Sequence, residues 1–388
     1  MRIALFTDGI YPHVLGGMQK HSYYLVKYFA INDVSVDVYH AVPYGKELSI
    51  EDSFYNAEEL KSIRFFPIPF PRNHHFPGHY VWESYLYSKN VFQEFTKQQQ
   101  VDFVYIQGFS GWNYLENRLS KYSGIRKPLV GINFHGLEMF QKSPSFKVKL
   151  EHLLFRFPVK WNLRKSDYIF SLGGKLTSIQ NNLIPNQKVI EIPIGITEDW
   201  LESGGEIKTN CSIRKFVFIG RYERRKGVEE LNTVLKQLLK ESQLRFEFHF
   251  IGPIPLGKQI SNDKRIIYHG VLTEELKIKK ILRDADILVC PSWSEGMPTV
   301  ILEAMASGCA IIATDVGAVS EQVNDLNGIL IPPGSLRELK QAIEKMLRID
   351  EKSLTQMRVN SIQKVKSSFL WDKIIERTIE VIKNLATQ

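Results

Sequence analysis

The chain begins the same structural unit twice. Arg2–Asp8 (RIALFTD) is a short apolar run that ends in a glycine-containing turn, and Met18–Phe29 follows with apolar residues at helical spacing. Lys215–Gly220 (KFVFIG) is a second such run, and a helical segment extends from Gly227 to about Glu241. Strand, glycine turn and helix form the first unit of a Rossmann-like domain. Two copies predict two such domains in tandem, and 388 residues suit two cores better than one.

More strand-like runs follow in each half. The first half has Val34–His40, Val101–Ile106, Leu129–Phe134, Tyr168–Leu172 and Val189–Pro193. The second has Arg245–Ile251, Ile266–His269, Ile287–Cys290 and Ala310–Thr314. Helical patterns lie between most of them, which predicts an α/β fold of parallel sheets covered by helices. The polar, flexible Ser203-Gly204-Gly205 marks the join. The expected domains are 1–203 and 204–367, with a C-terminal helix in 368–388 that carries Trp371, Ile374, Ile375, Ile379 and Ile382 at helical spacing.

Composition narrows the partners. Three scattered cysteines (Cys211, Cys290, Cys309) form no CxxC pair, which argues against a disulfide framework and a cysteine zinc site. The N-terminal apolar run is broken at Asp8, unlike a signal peptide, and no uncharged apolar stretch would span a bilayer. A cytoplasmic protein is expected. The net charge of +8 favours anionic partners. Nucleotide sugars and anionic lipid qualify; nucleic acid is the weakest candidate, because no zinc-finger or RNP-type motif is present.

Four stretches carry chemistry. Pro291–Gly308 (PSWSEGMPTVILEAMASG) follows the strand Asp286–Cys290, at the end where α/β sheets bind ligands. Glu295 and Gly296 fall in a loop, Pro298 suits a first helical turn, and Thr299–Ser307 reads as a helix. The amides of Met297, Thr299 and Val300 can receive phosphate or sugar oxygens. Glu303 lies further along that helix, and the two carboxylates can grip hydroxyls on either side of a diphosphate. In Gly220–Gly227 (GRYERRKG), Arg221 and Lys226 can neutralise two phosphates, whereas Arg224 and Arg225 read as surface charges. In Leu15–Met18 (LGGM), Gly16 and Gly17 allow close backbone approach to a ligand. In Asn133–Gly136 (NFHG), His135 ends a first-domain strand and points toward the same cleft if the domains face each other.

In this order the four stretches resemble the retaining glycosyltransferases of family 4, which have the GT-B fold. The resemblance covers nearly the whole chain. Its most specific parts are the Glu295–Glu303 pair with its EAMASG continuation, the GR…KG pair, and the turn Pro193-Ile194-Gly195, where Ile194 replaces the family's usual Asn. It implies two Rossmann-like domains facing across a cleft, with the last helix crossing back to the first. It implies that Arg221 and Lys226 bind the donor diphosphate, Glu303 the ribose, Glu295 the transferred sugar and Gly17 a phosphate. His135 would contact the sugar near the acceptor, and Val271 and Leu272 would border the base. It also implies retention of configuration without a catalytic metal or cofactor. A UDP-sugar is favoured over a GDP-sugar, and the acceptor would be a glycan or a lipid-linked glycan in bacterial surface-polysaccharide or lipopolysaccharide synthesis. The alternatives are a nucleotide-sugar epimerase of the same fold and a non-catalytic sugar-nucleotide-binding subunit.

Two further stretches stand out. Arg72–Tyr87 is dense in aromatic residues and holds His74, His75 and His79; it reads as a mobile surface loop, with the lining of an acceptor site and a metal site as the alternatives. Residues 142–165 carry seven cations against Glu151, interleaved with apolar residues. That stretch is either a core-packed helix with a solvated basic face or a helix that lies on anionic membrane, at the inner face of the plasma membrane.

Overall fold

The computed structural model describes residues 1–14, 16–42, 54–71, 76, 78–98, 100–121, 127–202, 213–241, 245–261 and 263–386. The expected join at 203–205, together with His74, His75 and Cys211, lies outside these residues.

Two parallel sheets organise the chain. The first contains β1 (Arg2–Thr7), β2 (Ser35–Val42), β3 (Ile63–Pro69), β4 (Phe103–Gln107), β5 (Leu129–Asn133), β6 (Tyr168–Ser171) and β7 (Lys188–Glu191), in the order β3-β2-β1-β4-β5-β6-β7. The second contains β8 (Arg214–Ile219), β9 (Phe246–Ile251), β10 (Ile266–Tyr268), β11 (Ile287–Cys290), β12 (Ala310–Thr314) and β13 (Gly328–Ile331), in the order β10-β9-β8-β11-β12-β13. Helices cover both faces of the central strands, so these read as unbroken apolar runs; Ile3 to Phe6 are wholly buried. Two edge strands escape the sequence pattern. β3 holds Pro67 and Pro69, which only an edge tolerates, and β13 is four residues long beside Pro332 and Pro333.

In each sheet the strand order reverses once, between β1 and β4 and between β8 and β11. A parallel α/β sheet opens a crevice at such a point, beyond the strand ends. The loops after β1, β8 and β11 are the ones that carry glycines, arginines and carboxylates in the sequence. One apolar core runs from the first sheet through Ile194, Met297 and Ile301 to the inner face of the second, so the halves share buried surface. A separate core fills the outer face of the second sheet.

The turn at Pro193-Ile194-Gly195 is held by the C-terminal helix Trp371–Ala386. The Ile196 amide donates to the Phe369 carbonyl (2.7 Å), and the Trp371 amide donates back to Ile196 (3.1 Å). A Cβ on Gly195 would lie 2.7 Å from the Trp371 ring, which explains the glycine. The Ile194 amide finds Met297 Sδ at 3.3 Å, and its side chain is buried. Trp371 itself packs on the helix Gly17–Ile31, with ring centroids 5.3 Å from His21, 5.8 Å from Tyr24 and 5.7 Å from Tyr28. The last helix therefore rests on the first half of the chain. Trp371→Ala empties a buried site at this junction and is expected to destabilise the fold by about 3–5 kcal/mol. Urea denaturation followed by circular dichroism measures it; a loss below about 1 kcal/mol would mean that the helix is not anchored there.

Candidate active site

The loop after β8 folds into a short 3-10 turn, Arg224–Lys226, closed by Gly227 at φ +71°. A Cβ on Gly227 would meet the Pro291 carbonyl at 2.0 Å, so only glycine lets this turn rest on the loop after β11. The Trp293 amide then donates to the Arg225 carbonyl at 2.7 Å and joins the two loops.

That junction gathers charge. Lys226 Nζ lies 2.6 Å from Glu295 Oε1, and Ser292 Oγ donates to the same oxygen at 2.8 Å. Arg225 Nη1 approaches Glu295 Oε2 at 3.5 Å, and its Nε donates to Glu223 at 2.9 Å. Glu295 is 7% exposed and Lys226 18%, so the pair is largely withdrawn from water. Arg221 is 71% exposed and reaches Glu223 at 2.9 Å. Arg225 does not sit on the surface as its sequence context suggested. It turns into the cleft, while Arg224 pairs with Glu230 at 2.5 Å and lies over Trp293. The 3-10 turn decides this, because successive side chains fan outward by roughly a third of a turn each.

These groups face a cleft of about 940 Å³ between the two sheets. Gly16, Gly17, His135, Arg221, Lys226, Glu295, Gly296, Met297, Pro298, Thr299 and Val300 all line it. Pro298 is the N-cap of the helix Thr299–Ala306 rather than its first residue, and the first-turn amides of Thr299 and Val300 have no partner within the helix. The other wall includes Asp8, Ser110 and Glu138 and the rings of Phe70, Tyr80, Phe109 and Phe155.

Three expected residues lie outside that lining. Val271 is 64% exposed and Leu272 packs against the core edge. Glu303 opens on a small adjoining pocket that shares Ile194 and Thr299 with the cleft. Its nearest cation is Lys20 Nζ at 3.8 Å, from the first half of the chain. Burial pushes the Glu303 carboxyl above its ordinary range against the pull of Lys20.

The two halves meet backbone to backbone at His135. A Cβ on Gly296 would lie 1.8 Å from the His135 carbonyl. Gln141 clamps the seam: its side-chain amide donates to the Glu295 carbonyl at 2.7 Å and accepts from the Gly317 amide at 3.1 Å. Neither Lys20 nor Gln141 carries a sequence signal, since each acts across the seam from a helix or loop of ordinary composition. Both ring nitrogens of His135 are buried without a hydrogen-bond partner, and the ring meets His21 edge-on at 4.7 Å. Burial holds the His135 imidazole down at about 4, so it is neutral at pH 7, with one nitrogen able to donate and the other to accept. No group of three His, Cys, Asp or Glu side chains among the described residues is placed to hold a metal ion, and His79 is paired with Glu83 at 3.1 Å.

Comparison with known proteins bears on this geometry. Residues 213–348 match the family described as glycosyl transferases group 1. The chain is 32% identical over 175 residues to the putative teichuronic acid biosynthesis glycosyltransferase TuaC of Bacillus subtilis, covering 44% of this chain and 42% of that one. It is 25% identical over 392 residues to the uncharacterized glycosyltransferase MJ1178 of Methanocaldococcus jannaschii, covering 98% of both. The match thus spans less than half of TuaC and nearly all of MJ1178. Sucrose-phosphate synthase from Thermosynechococcus elongatus superposes with a TM-score of 0.75 at 17% identity, over 99% of this chain and 98% of that one. The fold is GT-B. This GT-B chain is related to group 1 glycosyltransferases, most clearly through its second sheet.

The depressed His135 value sets a pH dependence. An unfolded histidine titrates near 6.5, so the folded state resists protonation. The resulting stability is full above pH 6.5 and is lost as pH falls toward about 4. The imidazole proton resonance of His135, assigned with His135→Asn, is expected to titrate near 4. A midpoint at 6 or above would show that the ring is hydrated.

Proposed function

We propose that this GT-B chain transfers a sugar from a nucleoside diphosphate donor to a glycan or lipid-linked acceptor, with retention of configuration. The observation that carries this reading is the meeting of Arg221, Arg225 and Lys226 with the open amides of the helix Thr299–Ala306. Both lie in one cleft at the switch point of the second sheet. Cations and helix-start amides suit a diphosphate.

In this reading the second domain (204–367) holds the donor, the first (1–203) holds the acceptor, and the helix in 368–388 fastens the second to the first. Arg221 and Lys226 take the diphosphate, with Arg225 beside them. A diphosphate that engages Lys226 frees the Glu295 carboxylate to accept from hydroxyls of the transferred sugar. Glu303 takes the ribose, Val271 and Leu272 border the base, and Gly16 and Gly17 bring backbone close to a phosphate. His135, neutral at pH 7, takes a hydroxyl of the sugar near the reacting carbon. The bond between the anomeric carbon and the leaving phosphate oxygen breaks, and the acceptor oxygen bonds that carbon on the same face. Its proton passes to a phosphate oxygen. Three cations and a helix N-terminus stabilise the leaving charge, so no metal is required. A UDP-sugar is the favoured donor, and the reaction takes place on the cytoplasmic side of the membrane. The names of TuaC and of the putative colanic acid biosynthesis glycosyltransferase WcaL of Escherichia coli, 22% identical over 284 residues, point to surface polysaccharide.

The test is thermal stabilisation against a panel of nucleotide sugars. A donor at one hundred times its dissociation constant should add about 2.7 kcal/mol. Lys226→Ala and Glu303→Ala should abolish most of it, and Lys226→Ala should lower kcat/KM for transfer by about 10²–10³-fold. Absence of stabilisation by every nucleotide sugar would refute the donor site. Binding without turnover on any glycan would favour a non-catalytic binding subunit.

A further inference from the structure

The helix Phe146–Lys165 turns five large apolar side chains to solvent. Phe146 and Phe157 are each 74% exposed, Leu150 and Leu154 50%, and Leu153 46%. At 3.6 residues per turn these five positions fall within an arc of about 100°. The opposite side of the helix is fixed to the protein by buried Val159, Asn162 and Leu163. The stripe is therefore not a core face that lacks packing; it is a second apolar face directed outward.

Cations flank it on both sides. By helical phase Lys147 and Lys165 lie along one edge, and Lys149 and Lys160 along the other. Glu151 is the one acidic residue in the helix. The turn at Gly78 lies beside Leu154, with a Gly78 Cβ 3.5 Å from Leu154 Cδ1. It adds Phe76 and Tyr80, 46% and 42% exposed.

We infer that this face docks on an anionic lipid bilayer. The leucines and phenylalanines enter the boundary between head groups and acyl chains, and the flanking lysines extend to the lipid phosphates. Charge selects this occupant over a second copy of the chain: a two-fold pairing of the stripe would oppose its own lysine edges. The helix is also fixed to the site. Arg156 Nε donates to the Met139 carbonyl at 2.9 Å, and Phe155, one residue from the exposed Leu154, lines the cleft with Tyr80. Docking thus sets the cleft mouth at the membrane surface, where an acceptor head group can enter while its lipid stays in the bilayer. That route rests on the glycosyl-transfer reading; the docking does not.

The experiment is flotation of the full chain with vesicles of pure phosphatidylcholine and of phosphatidylcholine with about one-third phosphatidylglycerol. Wild type should float with the anionic vesicles and much less with the neutral ones. Leu150→Glu with Phe157→Glu should reduce binding by at least about ten-fold, and Lys147→Ala with Lys149→Ala should remove the preference for phosphatidylglycerol. All four side chains lie outside the cleft lining, so melting temperature and nucleotide-sugar binding should be unchanged in both variants. Failure of the wild type to float overturns the proposal, as does undiminished binding by the glutamate variant. A concentration-dependent dimer that the glutamate variant dissociates, without flotation, would assign the face to a second copy instead. Flotation without nucleotide-sugar binding would leave the docking standing and remove the enzymatic reading.

Discussion

The approach of Gly296 to the His135 carbonyl is the constraint on which the cleft depends. No side chain fits between them, so the loop after β11 lies directly on the strand end of the first sheet. Gln141 locks that contact with two hydrogen bonds to backbone, and the Ala318 amide donates to the Gly296 carbonyl at 2.7 Å from the other side. Glu295 is thereby held by its main chain. Its carboxylate can meet Lys226, Arg225 and Ser292 without the entropy loss that a mobile loop would incur. A residue larger than glycine at 296 would separate the halves and spread the same charges over two surfaces.

Each of the three cations has a carboxylate partner, but Glu223 is shared by two of them: Glu223 occupies Arg221 and Arg225, and Glu295 occupies Lys226. A cleft of unopposed cations would repel itself and bind any polyanion. Pairing each cation with a carboxylate lowers that background, so an incoming anion must supply better geometry than the carboxylates it displaces. The helix Thr299–Ala306 adds attraction of its own, because its first turn holds no acidic residue and Thr299 and Val300 line the cleft. This combination favours a ligand with two anionic groups that reach both features.

Much of this was legible in the sequence, for reasons that mark its limits. Central strands such as Ile287–Cys290 and Ala310–Thr314 are buried on both faces, so burial writes itself into composition. The edge strand Ile63–Pro69 is not so constrained, and its two prolines hide it. Glu295, Lys226 and Arg221 follow strand ends, where chain direction alone brings them near the crevice. Arg225 escapes the sequence pattern because neighbouring side chains of a 3-10 turn diverge by roughly a third of a turn, which residue type does not record. Lys20 and Gln141 were invisible because they act on residues more than a hundred positions away. In residues 142–165 the mixture of lysines and leucines was plain, but whether the leucines faced inward was a tertiary fact. Phe155 and Val159 face in, and Leu150, Leu154 and Phe157 face out.

Glu303 shows how a carboxylate can be kept beside such a cleft at all. Burial alone would favour its protonated form. A chain of alternating charges opposes this: Lys20 lies 3.8 Å from Glu303 and 3.7 Å from Glu275, and Lys279 lies 2.9 Å from Glu275 and pairs in turn with Asp199. The members come from the helices Gly17–Ile31, Asp199–Glu202, Glu275–Asp284 and Thr299–Ala306, so the ladder ties both halves together. Its two cations face three carboxylates, and one negative charge remains without a matching lysine. Within the ladder Glu303 is the most buried carboxylate, 14% exposed against 42% for Glu275 and 51% for Asp199, and Lys20 is its nearest cation. Hydroxyl groups entering from the adjoining cleft would relieve the same burial that raises its pKa, which gives this carboxylate a physical reason to bind them.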